Sequence, residues 1–278
     1  MPSAPWPYPF WIAHRGAGQH APENTLAAFR VGAAHGWRAF ECDVKLSRDG
    51  VPFLLHDDSL QRTTPRTGVA AEVDWAELSR LDAGSWHSRA FAGEPLPSLD
   101  AVACFVLRNG HALNIELKPS PGQERRTGQA VGSACLALWP GSAVPPLLSS
   151  FKPDALRGAR DTAPGLPRAL LLDTPWPGWF DCAVELGCVA VLTHHPLMDA
   201  ALIARLHGAG FRVLCYTVNE AADAQRLLAL GIDGLVTDAV AHFSPGSTDL
   251  PDSARPSHPD LRHNLHHDLP SLSKMRAP

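Results

Sequence analysis

Two carboxylates, Glu41 and Asp43, lie inside the apolar run from Ala39 to Leu46. If this run is a β-strand, residues two apart point to the same face, so both carboxylates project together. Two ionised carboxylates in an apolar interior repel each other unless one is protonated or a cation lies between them. An all-oxygen cluster suits Mg²⁺ or Ca²⁺ better than zinc. The spacing therefore predicts one divalent cation here, and the alternative is a pair neutralised by Arg or Lys.

The same two-residue spacing recurs in Glu116 and Lys118, at the end of another apolar run. Glu116 adds a third carboxylate, and three side-chain oxygens leave open positions for water or substrate, as a catalytic ion requires. Lys118 and Arg15 add positive charge, which beside a metal is typical of a phosphate pocket. We therefore predict Glu41, Asp43 and Glu116 as metal ligands and the two basic residues as phosphate contacts.

Two histidines, His14 and His56, also follow apolar segments. Imidazole titrates near neutral pH, so both are candidates for proton transfer. For either histidine alone, a structural role is the alternative. Two histidines at strand ends beside a carboxylate cluster indicate acid–base catalysis.

These side chains must be brought together by the elements that carry them. Short apolar runs alternate with helical patterns, which is typical of parallel strands joined by crossover helices. We predict strands at residues 10–14, 39–46, 112–118, 146–150, 168–172, 189–193, 212–217 and 234–237. Eight such units predict a closed (β/α)₈ TIM barrel, whose active site forms at the C-terminal ends of the strands. A doubly wound open sheet is the alternative, but the segment after the first strand lacks the third glycine of G-x-G-x-x-G.

The interval between the second and third barrel strands is too long for a simple crossover, which predicts an insertion at about residues 57–97. It follows an extra strand at residues 51–56 and includes a short helix capped by Asp74. Residues 83–97 are expected to form a lid beside the mouth. The barrel is predicted over residues 1–243, and residues 244–278, rich in Pro, Ser, Asp and His, as a disordered or loosely packed tail.

Two further segments receive structural interpretations. Pro22-Glu23-Asn24-Thr25 predicts a helix start with Asn24 or Thr25 as the N-cap. Asp238 is expected to do no more than end the last strand.

Composition limits the classes of partner. The chain has 278 residues, 45% of them hydrophobic, and a formal net charge of −4, so no basic field favours nucleic acid. No apolar run approaches the ~18 residues of a membrane span. The proline-rich N-terminus has no basic region typical of a signal peptide, so we expect a cytoplasmic protein without stable membrane association. Six single cysteines without a C-x-x-C pair predict reduced, buried thiols. The oligomeric state is left open.

Eight short segments resemble, in order, motifs of the glycerophosphodiester phosphodiesterase family. They are His14-Arg15-Gly16, Pro22-Glu23-Asn24-Thr25, Glu41-Cys42-Asp43, His56-Asp57, Glu116-Leu117-Lys118, Ser150-Phe151, Tyr216-Thr217-Val218-Asn219 and Asp233-Gly234-Leu235-Val236-Thr237-Asp238. Each motif alone is weak, but eight in sequence give a strong signal across residues 10–243. The resemblance implies a (β/α)₈ barrel with a small insertion after its second strand, a divalent cation, and hydrolysis of glycerophosphodiesters to sn-glycerol 3-phosphate and an alcohol.

The resemblance also implies roles by motif. His14 and His56 would be the acid and base, and the three carboxylates and two basic residues would keep the roles given above. Tyr216 stands where the family commonly has Trp, so the aromatic wall of the substrate site is kept with a different size and polar tip. A barrel phospholipase acting on intact lipid would need a basic amphipathic helix or polybasic run to grip a bilayer. An inactive barrel used as a binding module would have lost a histidine or carboxylate, and here all are present.

Overall fold

Parallel strands alternate with helices and close into a barrel in the computed structural model, which describes residues 6–243 and residue 245. The strands are β1 (Trp11–Ala13), β2 (Ala39–Leu46), β3 (Pro52–Leu54), β4 (Ala112–Leu117), β5 (Leu147–Ser150), β6 (Arg168–Leu172), β7 (Ala190–His194), β8 (Arg212–Tyr216) and β9 (Gly234–Thr237). All except β3 belong to the parallel ring, which pairing of β1 with both β2 and β9 closes. The prediction of a closed eight-stranded barrel is confirmed.

The unequal lengths of β1 and β2 place the insertion next to the mouth. The three residues of β1 pair with β2 only near its start, through Ala13 and Phe40. The protruding end of β2 is therefore free on that side, and β3 pairs with it antiparallel from Val44 to Leu46. The residues that follow β3, including His56, consequently lie beside the C-terminal end of β2.

The helices cover the outside of the ring. They are α1 (Leu26–Ala34), α2 (Trp75–Leu78), α3 (Leu99–Arg108), α4 (Glu124–Leu138), α5 (Pro153–Thr162), α6 (Trp179–Glu185), α7 (Ala200–Gly208) and α8 (Ala221–Ala229). The Thr25 side chain caps α1 by accepting from the Ala28 amide. Of the two caps predicted for this segment, Asn24 and Thr25, the second is therefore confirmed. Asp74 is the N-cap residue of α2, as predicted, but its carboxylate forms no capping bond and pairs with Arg48 instead.

Alternation along the strands divides the barrel into two apolar layers and one polar mouth. Outward-facing residues such as Phe40 and Val44 pack with the helices, while inward-facing ones such as Ala39 and Leu147 fill the axis near the N-terminal strand ends. Tyr8 packs with this inner layer at the same end. Along β2 and β4, the polar inward-facing side chains follow Ala39 and Ala112 of this inner layer, towards the C-terminal strand ends.

The segment between β3 and α3 packs around its own apolar cluster, which includes Phe53, Leu60 and Leu78. It contacts the start of α1, where the Glu94 carboxylate accepts from the Ala27 amide at 2.8 Å. The domain boundaries remain a prediction, and the predicted tail lies outside the described residues except for Pro245.

The six cysteines are free, and four of them are buried. The prediction of a buried thiol is wrong for Cys104, which lies on the exposed side of α3, and only half right for Cys182, which is half-buried. Among residues 6–243, none of the helices has the length and apolar character needed to cross a bilayer.

Helices α4 and α5, which follow β4 and β5, cross in direct backbone contact. A methyl group at Gly158 would lie 2.2 Å from the carbonyl oxygen of Arg125, and one at Gly128 would lie 1.9 Å from that of Ala155. Such distances are far inside van der Waals contact. The crossing therefore requires glycine at these positions and fixes the spacing of the two helices.

Gly158→Ala should force α4 and α5 apart and destabilise the protein by about 1–3 kcal/mol, the usual range for overpacking. The measurement is the thermal unfolding midpoint followed by circular dichroism. Gly208→Ala is the matched control, since Gly208 is also a helical glycine but has no atom within 4 Å of its added methyl group. The control should be neutral or slightly stabilising. Equal midpoints for the two variants would contradict the proposed close contact.

Candidate active site

Three carboxylates converge at the mouth of the barrel. Glu41 and Asp43 point inward from β2, and Glu116 points inward from β4, where it is the direct register partner of Asp43. One oxygen from each lies within 4.8 Å of the others, and all three residues are buried. The sequence prediction that these three side chains share one site is therefore matched by their positions.

Asp43 is the most fully neutralised of the three. Its carboxylate lies 3.2 Å from Arg15 Nε and 3.4 Å from Lys118 Nζ, and it accepts from the Asn24 amide at 2.8 Å. Burial opposes ionisation of this group, but Arg15 and Lys118 hold its pKa well below the usual range. Asp43 is therefore the most readily ionised member of the trio.

Glu41 is neutralised incompletely. Its Oε2 accepts from the backbone amide of Arg15 at 3.0 Å, whereas its buried Oε1 has no hydrogen-bond partner among the described residues. Burial, together with the charge of Asp43, raises the pKa of Glu41 to about 8. Burial and Asp43 likewise raise the pKa of Glu116 to about 7, although Lys118 Nζ lies 2.7 Å from its carboxylate.

These observations fit a divalent cation. The donors are all carboxylate oxygens, which is the ligand chemistry of Mg²⁺ and Ca²⁺. A buried oxygen without a partner costs about 1–3 kcal/mol, and Glu41 Oε1 is such an atom. The alternative for this cluster is neutralisation by Arg15 and Lys118 alone, and it leaves Glu41 Oε1 without a partner. The trio could thus hold one metal ion.

His14 follows β1 and is anchored through one ring nitrogen. Its Nδ1 lies 2.6 Å from Asp238 Oδ1, and its Nε2 lies 3.8 Å from Glu41 Oε2. Burial lowers the pKa of His14, but the hydrogen bond to Asp238 and the charge of Glu41 outweigh burial and raise it. Asp238 is itself held by Asn219, whose amide oxygen accepts from the Asp238 backbone amide at 2.9 Å.

The interpretation of Asp238 as a simple strand end is therefore wrong. Strand alternation could have predicted that Asp238 points towards the site, because it is two residues beyond the inward-facing Val236. The same two-residue spacing identified the carboxylates of β2.

His56 is anchored in the same way by a different element. Its Nδ1 lies 2.8 Å from Asp57 Oδ1, and Asp57 Oδ2 accepts from Arg62 Nε at 2.5 Å. Burial lowers the pKa of His56, and the charges of Arg15 and Lys118 lower it further despite the opposing effect of Asp43. Both candidate histidines thus present Nδ1 to a carboxylate, which leaves Nε2 as the nitrogen available to a ligand.

Arg62 connects the two sides of the site. Besides its bonds to Asp57, it donates twice to the Glu23 carboxylate at 2.8 Å, and Glu23 also accepts from Arg15 Nη1 at 3.0 Å. Arg62 was not among the predicted site residues, and Glu23 was predicted only as part of a helix start. No spacing rule would have found this pairing, because the packing of the insertion brings Arg62 to Glu23.

Two other buried polar residues were missed. Asn24, one of the two candidates for the helix cap, is not the cap. Its φ of 58° lies in the left-handed region, and its side chain bridges Asp43 by donating to the carboxylate and accepting from the Asp43 amide. Lys45, fully buried on the same strand face, donates to the His56 carbonyl at 3.1 Å and lies 3.4 Å from Asp58. Two-residue alternation from Glu41 would have placed Lys45 inward.

Tyr216 ends β8 and forms part of the cavity wall. Its hydroxyl donates to the Leu172 carbonyl at 2.9 Å, and its ring packs edge-to-face with Phe151. Burial raises its pKa above the usual value, so the phenol stays protonated. The cavity it borders has a volume of about 170 Å³ and an apolar floor that includes Leu171, Leu192 and Val236. The other predicted site residues line this cavity too, with Asp43 in contact beneath them.

Comparisons with known proteins all point to one family. The model of the Glycerophosphoryl diester phosphodiesterase family matches residues 14–242. Glycerophosphodiester phosphodiesterase from Caldanaerobacter subterraneus subsp. tengcongensis is 30% identical over 235 residues, which cover 82% of this chain and 93% of that protein.

Solved structures agree with this result. The Oleispira antarctica phosphodiesterase in complex with the product sn-glycerol-3-phosphate has a TM-score of 0.79 and 35% identity, covering 84% of this chain and 94% of that chain. A glycerophosphodiester phosphodiesterase from Agrobacterium tumefaciens has a TM-score of 0.69 and 26% identity, covering 84% and 99%. From the barrel, the matched residues and these relatives, it follows that the chain belongs to the glycerophosphoryl diester phosphodiesterase family.

Proposed function

We propose that this enzyme hydrolyses glycerophosphodiesters to sn-glycerol 3-phosphate and an alcohol with the help of one divalent cation, Mg²⁺ or Ca²⁺. The observation that carries the proposal is the convergence, around one cavity, of three buried carboxylates and two histidines that are each anchored by a carboxylate. The complex of the Oleispira relative with sn-glycerol-3-phosphate supports the identity of the product.

The cavity suits a small, deacylated substrate. Its volume of about 170 Å³ is small, and its apolar floor would contact the carbon atoms of the glycerol unit. Arg15 and Lys118 line the same cavity and would bind the phosphoryl oxygens, the first as a planar fork and the second as a point charge. Tyr216 would form the wall against glycerol.

The metal would be held by Glu41, Asp43 and Glu116. When bound, it would neutralise negative charge on the phosphoryl oxygens and so lower the barrier to attack at phosphorus. The chain's own charges do part of the same task, because Arg15 and Lys118 lie next to the trio.

The two histidines would transfer the protons. In the first step, one histidine removes the proton of the substrate's 2-hydroxyl, the hydroxyl oxygen bonds to phosphorus, and the bond from phosphorus to the leaving alcohol breaks. The other histidine gives its proton to the departing alkoxide. In the second step the roles reverse, and water opens the cyclic phosphate to yield sn-glycerol 3-phosphate. We assign His56 to the leaving-group side, because it follows the strand that enters the insertion. In the free site the pKa of His56 is lowered and that of His14 is raised, so this assignment requires the bound phosphate anion to raise the pKa of His56.

The first test is metal dependence. Turnover of glycerophosphocholine, glycerophosphoethanolamine and glycerophosphoglycerol should require Mg²⁺, Ca²⁺ or Mn²⁺ and should disappear after exhaustive chelation. Full activity of the chelated enzyme would contradict a role for the metal, whichever ion is used.

The pH dependence of stability provides a second readout of the same site. In the metal-free protein, pKa values of about 8 for Glu41 and about 7 for Glu116 mean that the folded state binds more protons than the unfolded state above about pH 4.5. The free energy of unfolding should therefore fall as pH rises towards 8. Metal binds the ionised carboxylates, so the thermal midpoint difference between loaded and chelated protein should widen from pH 5.5 to pH 8. Glu41→Gln should narrow that difference.

His14→Ala and His56→Ala should each lower kcat by about 10²- to 10⁴-fold, the range for loss of a general acid or base. They should differ with leaving group, since a nitrophenolate departs without a proton. The variant that lacks the acid should recover most of its rate with a nitrophenyl ester, and on our assignment this is His56→Ala. Equal recovery of both variants, or of neither, would refute the division of roles. Normal turnover of a 2-deoxy substrate would refute attack by the 2-hydroxyl.

Tyr216→Phe should have a mild effect, because the hydroxyl is bonded to the Leu172 carbonyl and the ring provides the wall. We expect a change mainly in KM, measured by steady-state kinetics with a soluble diester. Tyr216→Ala, which removes the wall itself, is the informative comparison and should raise KM more. A loss beyond ~10²-fold in kcat for Tyr216→Phe would instead give the hydroxyl a part in proton transfer.

A further inference from the structure

A second cavity adjoins the one described above. It has a volume of about 300 Å³ and lies between the loops that follow β3, β4 and β5. Four residues line both cavities: His56, Glu116, Lys118 and Phe151. A phosphate bound at Lys118 would therefore lie where the two cavities meet, with space on either side of it.

The two cavities differ in what they can accept. The first is small, lies over the apolar floor of the barrel, and is bordered by strand residues. The second reaches the surface, because Asp58 and Lys152 in its lining are exposed. The glycerol unit, which is constant among substrates, suits the first cavity. The alcohol, which varies in size and charge, suits the second, and His56 in the shared wall is then next to the departing oxygen.

The charges of the second cavity are mostly neutralised within the protein. Asp57 pairs with Arg62 and His56, Asp58 lies 3.4 Å from Lys45, and Glu116 pairs with Lys118. Among the described residues, Lys152 is the one charged side chain of this lining for which no ion pair is formed. One residue of the cavity assigned to the alcohol therefore carries an ammonium group without an ion-pair partner among the described residues.

The cavity is also poorly suited to a quaternary ammonium group. Phe151 is the aromatic ring of its lining, and Lys118 Nζ already lies 5.5 Å from the centre of that ring. Because an ammonium group already lies over that ring, its face is less available to a second cation. The balance of charge therefore disfavours choline-like alcohols and favours acidic ones.

We propose that this second cavity is the leaving-group subsite and that Lys152 makes it selective for alcohols that carry an anionic group, such as the carboxylate of serine. The inference rests on the proposed function, since it concerns the alcohol part of the same substrate. The selectivity expected from a single exposed ammonium group is modest, about two- to fivefold.

The test compares glycerophosphoserine with glycerophosphoethanolamine, which differ only by the carboxylate. The quantity measured is the ratio of their kcat/KM values at low ionic strength. We expect a ratio above one for the unaltered enzyme, a two- to fivefold lower ratio for Lys152→Met, and a still lower ratio for Lys152→Glu. Lys152 makes no capping bond at the start of α5, and an acidic residue there suits a helix N-terminus, so both variants should fold.

Arg30→Met is the matched control, because it removes one exposed positive charge outside both cavities and should leave the ratio unchanged. A kcat/KM ratio below one for the unaltered enzyme would overturn the selectivity. So would a ratio that is the same in the unaltered enzyme and in both Lys152 variants. In either case, turnover itself would still uphold the proposed function. Absence of turnover for every diester in the presence of metal would overturn the proposed function as well.

Discussion

Burial of three carboxylates on two adjacent strands is the constraint from which the rest of the site follows. Asp43 has to be neutralised, and Arg15 provides one of the charges that neutralise it. Arg15 also pairs with Glu23, Glu23 pairs with Arg62, and Arg62 takes Asp57 on its other side. The chain of ion pairs thus runs from the buried carboxylates to the group that anchors His56. A requirement for charge balance at the barrel mouth thereby becomes a constraint on the position of a histidine proposed to transfer protons.

The second histidine is fixed by closure of the barrel instead. The His14 amide donates to the Thr237 carbonyl at 2.9 Å, as part of the contact between the first and last strands. The next residue of the last strand segment is Asp238, which holds His14 Nδ1, while Asn219 from the preceding β/α loop holds Asp238. His14 is thus oriented by residues more than two hundred positions away along the chain. Incomplete closure between β1 and β9 would disturb catalysis as well as stability.

Strand alternation explains what the sequence could predict. Period-two spacing placed Glu41, Asp43 and Glu116 inward, and they do point inward in the structure. The spacing is reliable here because the inward and outward faces are fixed once a strand is buried. The same rule, applied to Lys45 and Asp238, would have found both. It could not find Arg62, whose position depends on how the insertion packs. It also could not decide between Asn24 and Thr25, since both are good helix caps and tertiary contact with Asp43 settled the choice. The catalytic roles, the domain boundaries and the cytoplasmic location stay predictions.

The proposed assignment of the two cavities would separate recognition of the constant glycerol unit from recognition of the variable alcohol. The inner cavity is formed by inward-facing strand residues, so changing one of them would alter the packing of the barrel or the balance of buried charge. The outer cavity is formed by the residues just after strands β3, β4 and β5. A side chain there, such as Lys152, is exposed and is not part of the packed core. The glycine crossing of α4 and α5 fixes the helices that follow two of these loops, so the backbone there can stay in place while side chains change. On this proposal, selectivity for the alcohol can be altered without disturbing the three buried carboxylates.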